Sequence, residues 1–352
     1  MCNFVLLNRN DDHLYMKTRH YLLILGGGIL LALLGATYYF FLTPFNNSDT
    51  AHTIFIDRDD TSDSITIKLS DINTQKVGAF KLLWAIKDCT PRPGKYEVTA
   101  EQSVVDIFRM FRNGQQVPTK LIINPAWTVE IMASRLAPQL MVDSAELVSF
   151  FNDSTTLELM NCTKETLPAH FIPNTYEVYW TITPKQLVVR MEKEYQSFWT
   201  TERRAKAEKL GLSLHDVSTL ASIVCRETNN TTEMPIIAGL YLNRLRKNMP
   251  LQACPTVIFA RQDFSIRRLT DPMNPDNAYN TYRYAGLPPG PIFIAPISAI
   301  DAVLNAQSNN YIYMCAKEDF SGTHNFASSY AEHQRNAVRY QKAFKERFGN
   351  KK

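Results

Sequence analysis

The chain has 352 residues, of which 45% are hydrophobic and 20% charged, with a formal net charge of +4. That apolar share supports a sizeable packed core and excludes wholesale disorder, and the length predicts two or three domains. So mild a charge, with no long Lys/Arg block, argues against nucleic acid as a partner. Cys2, Cys89, Cys162, Cys225, Cys254 and Cys315 are scattered without a CxxC, which predicts free or buried thiols rather than a disulfide scaffold.

In chain order, a tail over 1–20 precedes an uncharged run, Tyr21–Leu42 (YLLILGGGILLALLGATYYFFL). At helical rise it covers about 33 Å, enough to cross a bilayer core. It is too long for a signal peptide and has no small-residue cleavage site, so it reads as an uncleaved anchor. Arg9, Lys17 and Arg19 precede the run, alongside Asp11 and Asp12, and residues 43–50 carry no Lys or Arg. The Lys/Arg bias predicts a cytoplasmic N-terminus and an extracytoplasmic remainder.

A polar stalk is expected over 43–51, then a small mixed module over 52–125. Thr53–Ile56 and Ser64–Leu69 alternate as strands do, and Gly94–Val98 predicts another. Ser103 and Asp106 have capping-box spacing before a helix that Gly114 stops. Thr119–Ile123 returns as a strand. Beyond it, Thr128–Leu136, Ser144–Phe151 and Leu187–Trp199 predict helices, and Phe171–Trp180 is rich in aromatics. The fold class expected is α+β, with a catalytic or binding domain over 126–352.

Several chemistries have no motif to carry them. HExxH, GxSxG, a Walker loop and GxGxxG are all missing. His324 and His333 lie nine apart with no ligand at metal spacing, so no metal or cofactor is expected.

The informative stretch is Ser213–Thr228 (SLHDVSTLASIVCRET). Ser213 and Asp216 fit a capping box. Val217, Leu220, Ala221 and Val224 form one apolar stripe, and Glu227, three residues further, continues it. A carboxylate there is partly desolvated and near a helix C-terminus; both raise its pKa, as a general acid near neutral pH requires. The pattern alone leaves open a frayed, solvent-exposed glutamate. A second helix is expected over 233–246, with Glu233 as a favourable charge at its start. Gln252 and Thr256 are expected on a loop-to-strand turn. With Asn243, Tyr279, Asn280 and Tyr282 they supply amides, hydroxyls and aromatic rings of the kind that bind sugars.

At LASIVCRET (220–228), AGLYLNRLRKNMPLQACPTVIFA (238–260), AYNTYRYAGLPPGPI (278–292) and HNFASSYAEHQRN (324–336), with a looser match at FIPNTYEVYW (171–180), the chain resembles the endolytic murein transglycosylase family, MltG-like or YceG-like. The resemblance implies a LysM-like module over 52–125 and a catalytic domain over 126–352. It implies a catalytic Glu227, with Pro173–Tyr176 lining the cleft. It further implies cleavage of the MurNAc–GlcNAc β-1,4 bond of peptidoglycan glycan strands to 1,6-anhydro ends. The location implied is the inner membrane, with the catalytic domain periplasmic and peptidoglycan synthases as partners. The alternative is a non-catalytic, membrane-anchored peptidoglycan-binding or scaffold protein. Many members carry Glu where this chain has Cys225, and Asp where it has Cys254 and Asn174. A Cys225–Cys254 disulfide is conceivable in that compartment.

Overall fold

The structure, a computed structural model, describes residues 9–46, 48–87, 90–266 and 269–349. Cys2 and Cys89 lie outside the described residues, as do the side chains of Arg9, Asp11 and Asp12. The architecture mixes helices with short two-stranded sheets. The chain divides into two compact units, one running to Thr119 and including Tyr179–Thr181, the other comprising Lys120–Val178 and Ile182–Lys352.

The first unit opens with helix α1 (Arg9–Thr37), continued by a π-helical turn, Tyr38–Leu42. Tyr15–Leu42, in which an 18-residue window of mean hydropathy 1.9 has none of its residues buried in protein, is long and apolar enough to span a membrane, alone among helices of the described residues. Next come β1 (His52–Ile56), α2 (Ser62–Ser70), α3 (Val77–Lys87), β2 (Gly94–Val98) and α4 (Val104–Asn113). β1 and β2 pair antiparallel, with Ile54 opposite Tyr96. Ile54, Ile56, Tyr96, Val98, Phe80 and Phe111 meet in one core. α4 has the capping box expected of Ser103 and Asp106 and ends on Gly114 at φ 68°, a left-handed position that suits glycine.

Two expectations for this unit fail. Ser64–Leu69 is helical, not a strand: Thr61 and Ser64 cap α2 reciprocally, and Ile65 and Leu69, one turn apart, are its buried pair. Apolar residues at 65, 67 and 69 fit either period, and the cap decides for the helix. Residues 43–46 are not a free stalk. Phe45 is fully buried in the unit's core, its N–H donates to Gln102 O at 2.7 Å, and Lys76 Nζ donates to Thr43 Oγ1 at 2.6 Å and to Pro44 O.

The second unit contains most of β3 (Pro118–Ile122) and of β4 (Thr175–Tyr179), together with α5 (Val129–Leu136), α6 (Ser144–Phe151), α7 (Ser154–Leu159), α8 (Pro184–Phe198), α9 (Thr201–Leu210) and α10 (Leu214–Glu227). It ends with α11 (Met234–Arg246), α12 (Cys254–Arg261), α13 (Ile297–Leu304), β5 (Tyr313–Ala316), β6 (His324–Ala327) and α14 (Tyr330–Phe348). β3 pairs with β4, and β5 with β6. α5, α6 and α8 share one core with β4, while α10, α11 and α13 build the other. Gly239 on α11 permits a close approach: a Cβ there would lie 2.2 Å from Gln307 O and 2.6 Å from Asn309 Nδ2. The strand expected after Gln252 is instead α12, with Pro255 in its first turn, a position where its missing N–H costs nothing.

Candidate functional site

α10 is the central element of the site. Ser213 accepts from Asp216 N at 3.1 Å and donates to its carboxylate at 2.7 Å, so the helix starts where the capping pattern says. Every residue from Val217 to Cys225 is buried, which embeds the helix in its core rather than laying one stripe against it. Ser222 Oγ accepts from Ile292 N at 3.0 Å, which ties the Pro-Pro-Gly loop to α10. Gly290 of that loop lies against Glu165 O, 1.9 Å from where a Cβ would stand.

Glu227 is the last residue of α10, and Thr228 turns extended after it. Its carboxyl faces a cavity of about 360 Å³ whose walls come from α11 (Leu240, Tyr241, Arg244), the segment Leu251–Cys254, Tyr282, strand β5, His324 of β6 and His333 of α14. Glu227 is the one carboxylate among the described lining residues. Tyr241 OH donates to Glu227 Oε1 at 2.9 Å. Burial raises the Glu227 pKa from its ordinary value, against the opposing pull of the Tyr241 hydrogen bond and the field of His324. Tyr241, 1% exposed, is itself pushed well up by burial and by Glu227, so it remains a donor.

Glu233 stands at the N-cap of α11 but caps nothing with its side chain. Its carboxylate accepts from His324 N at 2.8 Å, lies 3.2 Å from His324 Nδ1 and accepts from Thr228 Oγ1 at 3.3 Å. Glu233 thus stands at the start of α11, as the helix-dipole reading has it, and its carboxylate also holds His324. Three of its roughly four acceptor sites are taken by these contacts, and it is not part of the wall of the Glu227 cavity.

Of the other sequence-selected residues, Gln252 and Tyr282 line the cavity with Glu227, and Asn243, Thr256, Tyr279 and Asn280 do not. Asn243 Nδ2 donates to Asn309 O at 2.8 Å and Tyr311 O at 3.0 Å. Thr256 is fully buried and bonds Thr281 Oγ1 at 2.9 Å. Tyr279 packs on Phe259, centroids 4.7 Å apart. Asn280, fully buried, donates to Pro272 O at 3.0 Å and Pro275 O at 2.9 Å and accepts from Tyr282 N at 3.0 Å. Asn243 lines a different cavity, with Gly239 and Asn309. Pro173–Tyr176 are likewise not in the lining; Tyr176 packs in the α5–α6–α8 core.

Sequence reasoning missed Tyr241, Arg244, His324 and His333. The two histidines lack metal spacing, and among the described residues no three His, Cys, Asp or Glu side chains form a metal cluster. Cys225 and Cys254 are not bridged: both thiols are free, Cys225 Sγ donating to Ser222 O at 3.4 Å and Cys254 Sγ sitting 3.2 Å from Tyr282 OH. Beside the acid, Arg226 places its guanidinium 4.3 Å from the Trp127 ring centre and 4.9 Å from that of Phe293, and Trp127 stacks on Phe264 at 4.8 Å.

The arrangement resembles known proteins. An endolytic murein transglycosylase of Bacillus subtilis is 30% identical over 196 residues, 55% of this chain and 54% of the relative. One of Streptococcus pneumoniae (D39) is 27% identical over 183 residues, 49% of this chain and 32% of the relative. The chain thus spans about half the length of the first and a third of the second. A crystal structure of a yceG-like protein from Listeria monocytogenes superposes with a TM-score of 0.55 at 24% identity, covering 82% of this chain and 99% of that one, which shows a shared fold. The model of the YceG-like family matches residues 54–339, and the chain belongs to that family.

Proposed function

We propose that the protein is an endolytic murein transglycosylase that cleaves the β-1,4 bond between N-acetylmuramic acid and N-acetylglucosamine. The observation that carries the reading is Glu227: a lone carboxyl lining a cavity, its pKa raised by burial, and held by a single hydroxyl donor. Two-carboxylate glycosidases need a second acid about 5–10 Å away, and no other carboxylate is among the described lining residues. A lone acid suits a reaction in which the substrate supplies its own nucleophile. The two relatives named as endolytic murein transglycosylases support the same reading.

In the proposed mechanism the Glu227 proton passes to the glycosidic oxygen as the C1–O bond breaks. The leaving N-acetylglucosamine departs as an alcohol, and the substrate's N-acetyl oxygen steadies the cationic C1. Tyr241 then stabilises the Glu227 carboxylate with its hydrogen bond. The carboxylate takes the proton of the muramyl C6 hydroxyl, whose oxygen bonds C1 and gives the 1,6-anhydro end. Glu227 ends protonated, and no water is consumed. His324, fixed by Glu233, lends positive potential to the carboxylate stage. Trp127, Phe264 and Phe293 offer half-buried rings on which sugars can stack.

The Tyr15–Leu42 helix serves in this reading as a membrane anchor, with the Lys/Arg bias placing the N-terminus in the cytoplasm and both units outside. The small core of paired strands and helices in the first unit supports a LysM-like glycan-binding role, and peptidoglycan synthases are the partners proposed. The test is the product. Mass spectrometry of glycan strands digested by the full chain in detergent is expected to find anhydro ends, one water lighter than hydrolytic products. Reducing ends alone would overturn the mechanism.

A further inference from the structure

The wall of the cavity facing Glu227 holds a cation without a counter-ion. Arg244 is 8% exposed. Its Nη1 donates to Leu251 O at 2.8 Å and its Nη2 to Gln252 Oε1 at 2.9 Å, which are neutral acceptors. Its Nε is buried with no partner. Arginine has five N–H donors, so the two bonds leave most of its capacity open. His333 lines the same cavity, packs its ring on Tyr313 at 5.2 Å and 20°, and has a buried Nδ1 that is also without a partner. Among the described residues no carboxylate pairs with either side chain. Burial draws the Arg244 pKa down, and burial together with the Arg244 charge draws His333 down.

Apart from its two neutral acceptors the guanidinium meets the Tyr313 ring, 5.7 Å from its centre, and a buried guanidinium without a counter-ion is a costly arrangement, as are buried donors left unbonded. One carboxylate, accepting from Arg244 and from His333, would relieve both. Glu227 does not fill this role: its carboxyl accepts from Tyr241 and forms no ion pair with Arg244 or His333. We propose that Arg244 and His333 form a carboxylate subsite that selects the acid-bearing sugar of the substrate. Resting on the glycan-cleaving reading, this deepens it. N-acetylmuramic acid differs from N-acetylglucosamine by a lactyl ether at O3. That group carries a carboxylate, either free or passed on to an attached peptide. An anion-selecting subsite beside the acid would set which of the two alternating β-1,4 bonds lies against Glu227. Arg suits the task because its planar fork fits carboxylates.

The experiment uses the full chain in detergent with isotope-labelled histidine, in the Glu227→Gln background so that nothing is turned over. N-acetylmuramic acid, muramyl dipeptide and N-acetylglucosamine are titrated in turn while the His333 ring signals are followed, assigned with His333→Phe. The expected result is that a carboxylate-bearing sugar moves the His333 signals and binds about tenfold or more tightly than N-acetylglucosamine, the worth of one good charge-assisted contact. A response to free muramic acid places the lactyl carboxylate in the subsite; a response to the dipeptide alone places the peptide carboxylate there. Arg244→Gln should abolish the preference. Because Arg244 also braces Leu251 and Gln252, His333→Phe is the second variant: it keeps a ring on Tyr313, loses Nδ1, and should shrink the preference. Equal binding of all three sugars, or His333 signals unmoved by any, overturns the proposal. Anhydro ends from the wild-type chain together with equal binding would fail the subsite alone. Selective binding without anhydro ends would fail the lytic reading and leave the subsite standing.

Discussion

The Glu227 carboxyl is expected to cost the folded chain stability at neutral pH, and replacing it should return that stability. The carboxyl has one hydroxyl donor, at 2.9 Å, in a cavity whose lining mixes Leu240 and Leu251 with polar groups such as His324, whereas an ionised carboxylate has about four acceptor sites to satisfy. The folded chain therefore binds the Glu227 proton more tightly than the unfolded chain, where the usual value is 4.5. Stability from this group is complete below that value and is lost as pH rises through the higher folded value. Each tenfold gain in proton affinity corresponds to about 1.4 kcal/mol lost on the alkaline side. Glu227→Gln keeps an oxygen for Tyr241 OH and carries no charge. Its melting temperature should equal that of wild type near pH 4 and exceed it increasingly up to pH 8, by about 2–4 °C for each kcal/mol in a unit of this size. Scanning calorimetry of both chains in detergent from pH 4 to 8 reads this directly. A difference that is flat with pH, or that favours wild type at pH 8, would refute a desolvated acid.

Tyr241→Phe removes the donor that favours the ionised form of Glu227, so the alkaline limb of the cleavage pH profile should move to higher pH, with slower turnover where the carboxylate must form; an unmoved limb counts against the contact. Asn280→Ala should act on stability rather than binding. It strands two proline carbonyls and the Tyr282 amide, costing about 2–4 kcal/mol at roughly 1 kcal/mol or more per bond, and an unchanged melting temperature with reduced cleavage would make Asn280 a substrate contact after all. Gly239→Ala drives a methyl into Gln307 O, an overpacking worth about 1–3 kcal/mol, visible as a lower denaturation midpoint.

What could be read in advance was local. Capping chemistry at Ser103 and Ser213 located α4 and α10 because a reciprocal pair of side-chain bonds leaves a short-range signature. Glu227 stood out because a charged residue continued an apolar stripe. The same period argument misled at Ser64–Leu69, where alternating residues also satisfy a single helical turn and only Thr61 distinguishes the two. The rest of the site was unreadable for a different reason. His324 and His333 reach Glu227 from β6 and α14, roughly a hundred residues further along the chain, and nothing in their own neighbourhoods marks the meeting. Asn243, Thr256 and Asn280 had the composition of a sugar site, yet polar side chains also serve to satisfy buried backbone groups, and here they do that. Arg244, in the last turn of α11, carries no mark of its own in the sequence; only burial and its missing partner single it out.

The central claim is that one protonated carboxyl performs both proton transfers, and the direct measurement is cleavage of glycan strands by wild type and Glu227→Gln at the same pH, with products weighed. Wild type should release anhydro ends and the variant should fall by a factor of about 10² to 10⁴, the usual worth of a general acid, while remaining folded. Anhydro ends forming at the wild-type rate from the Gln chain would contradict the account.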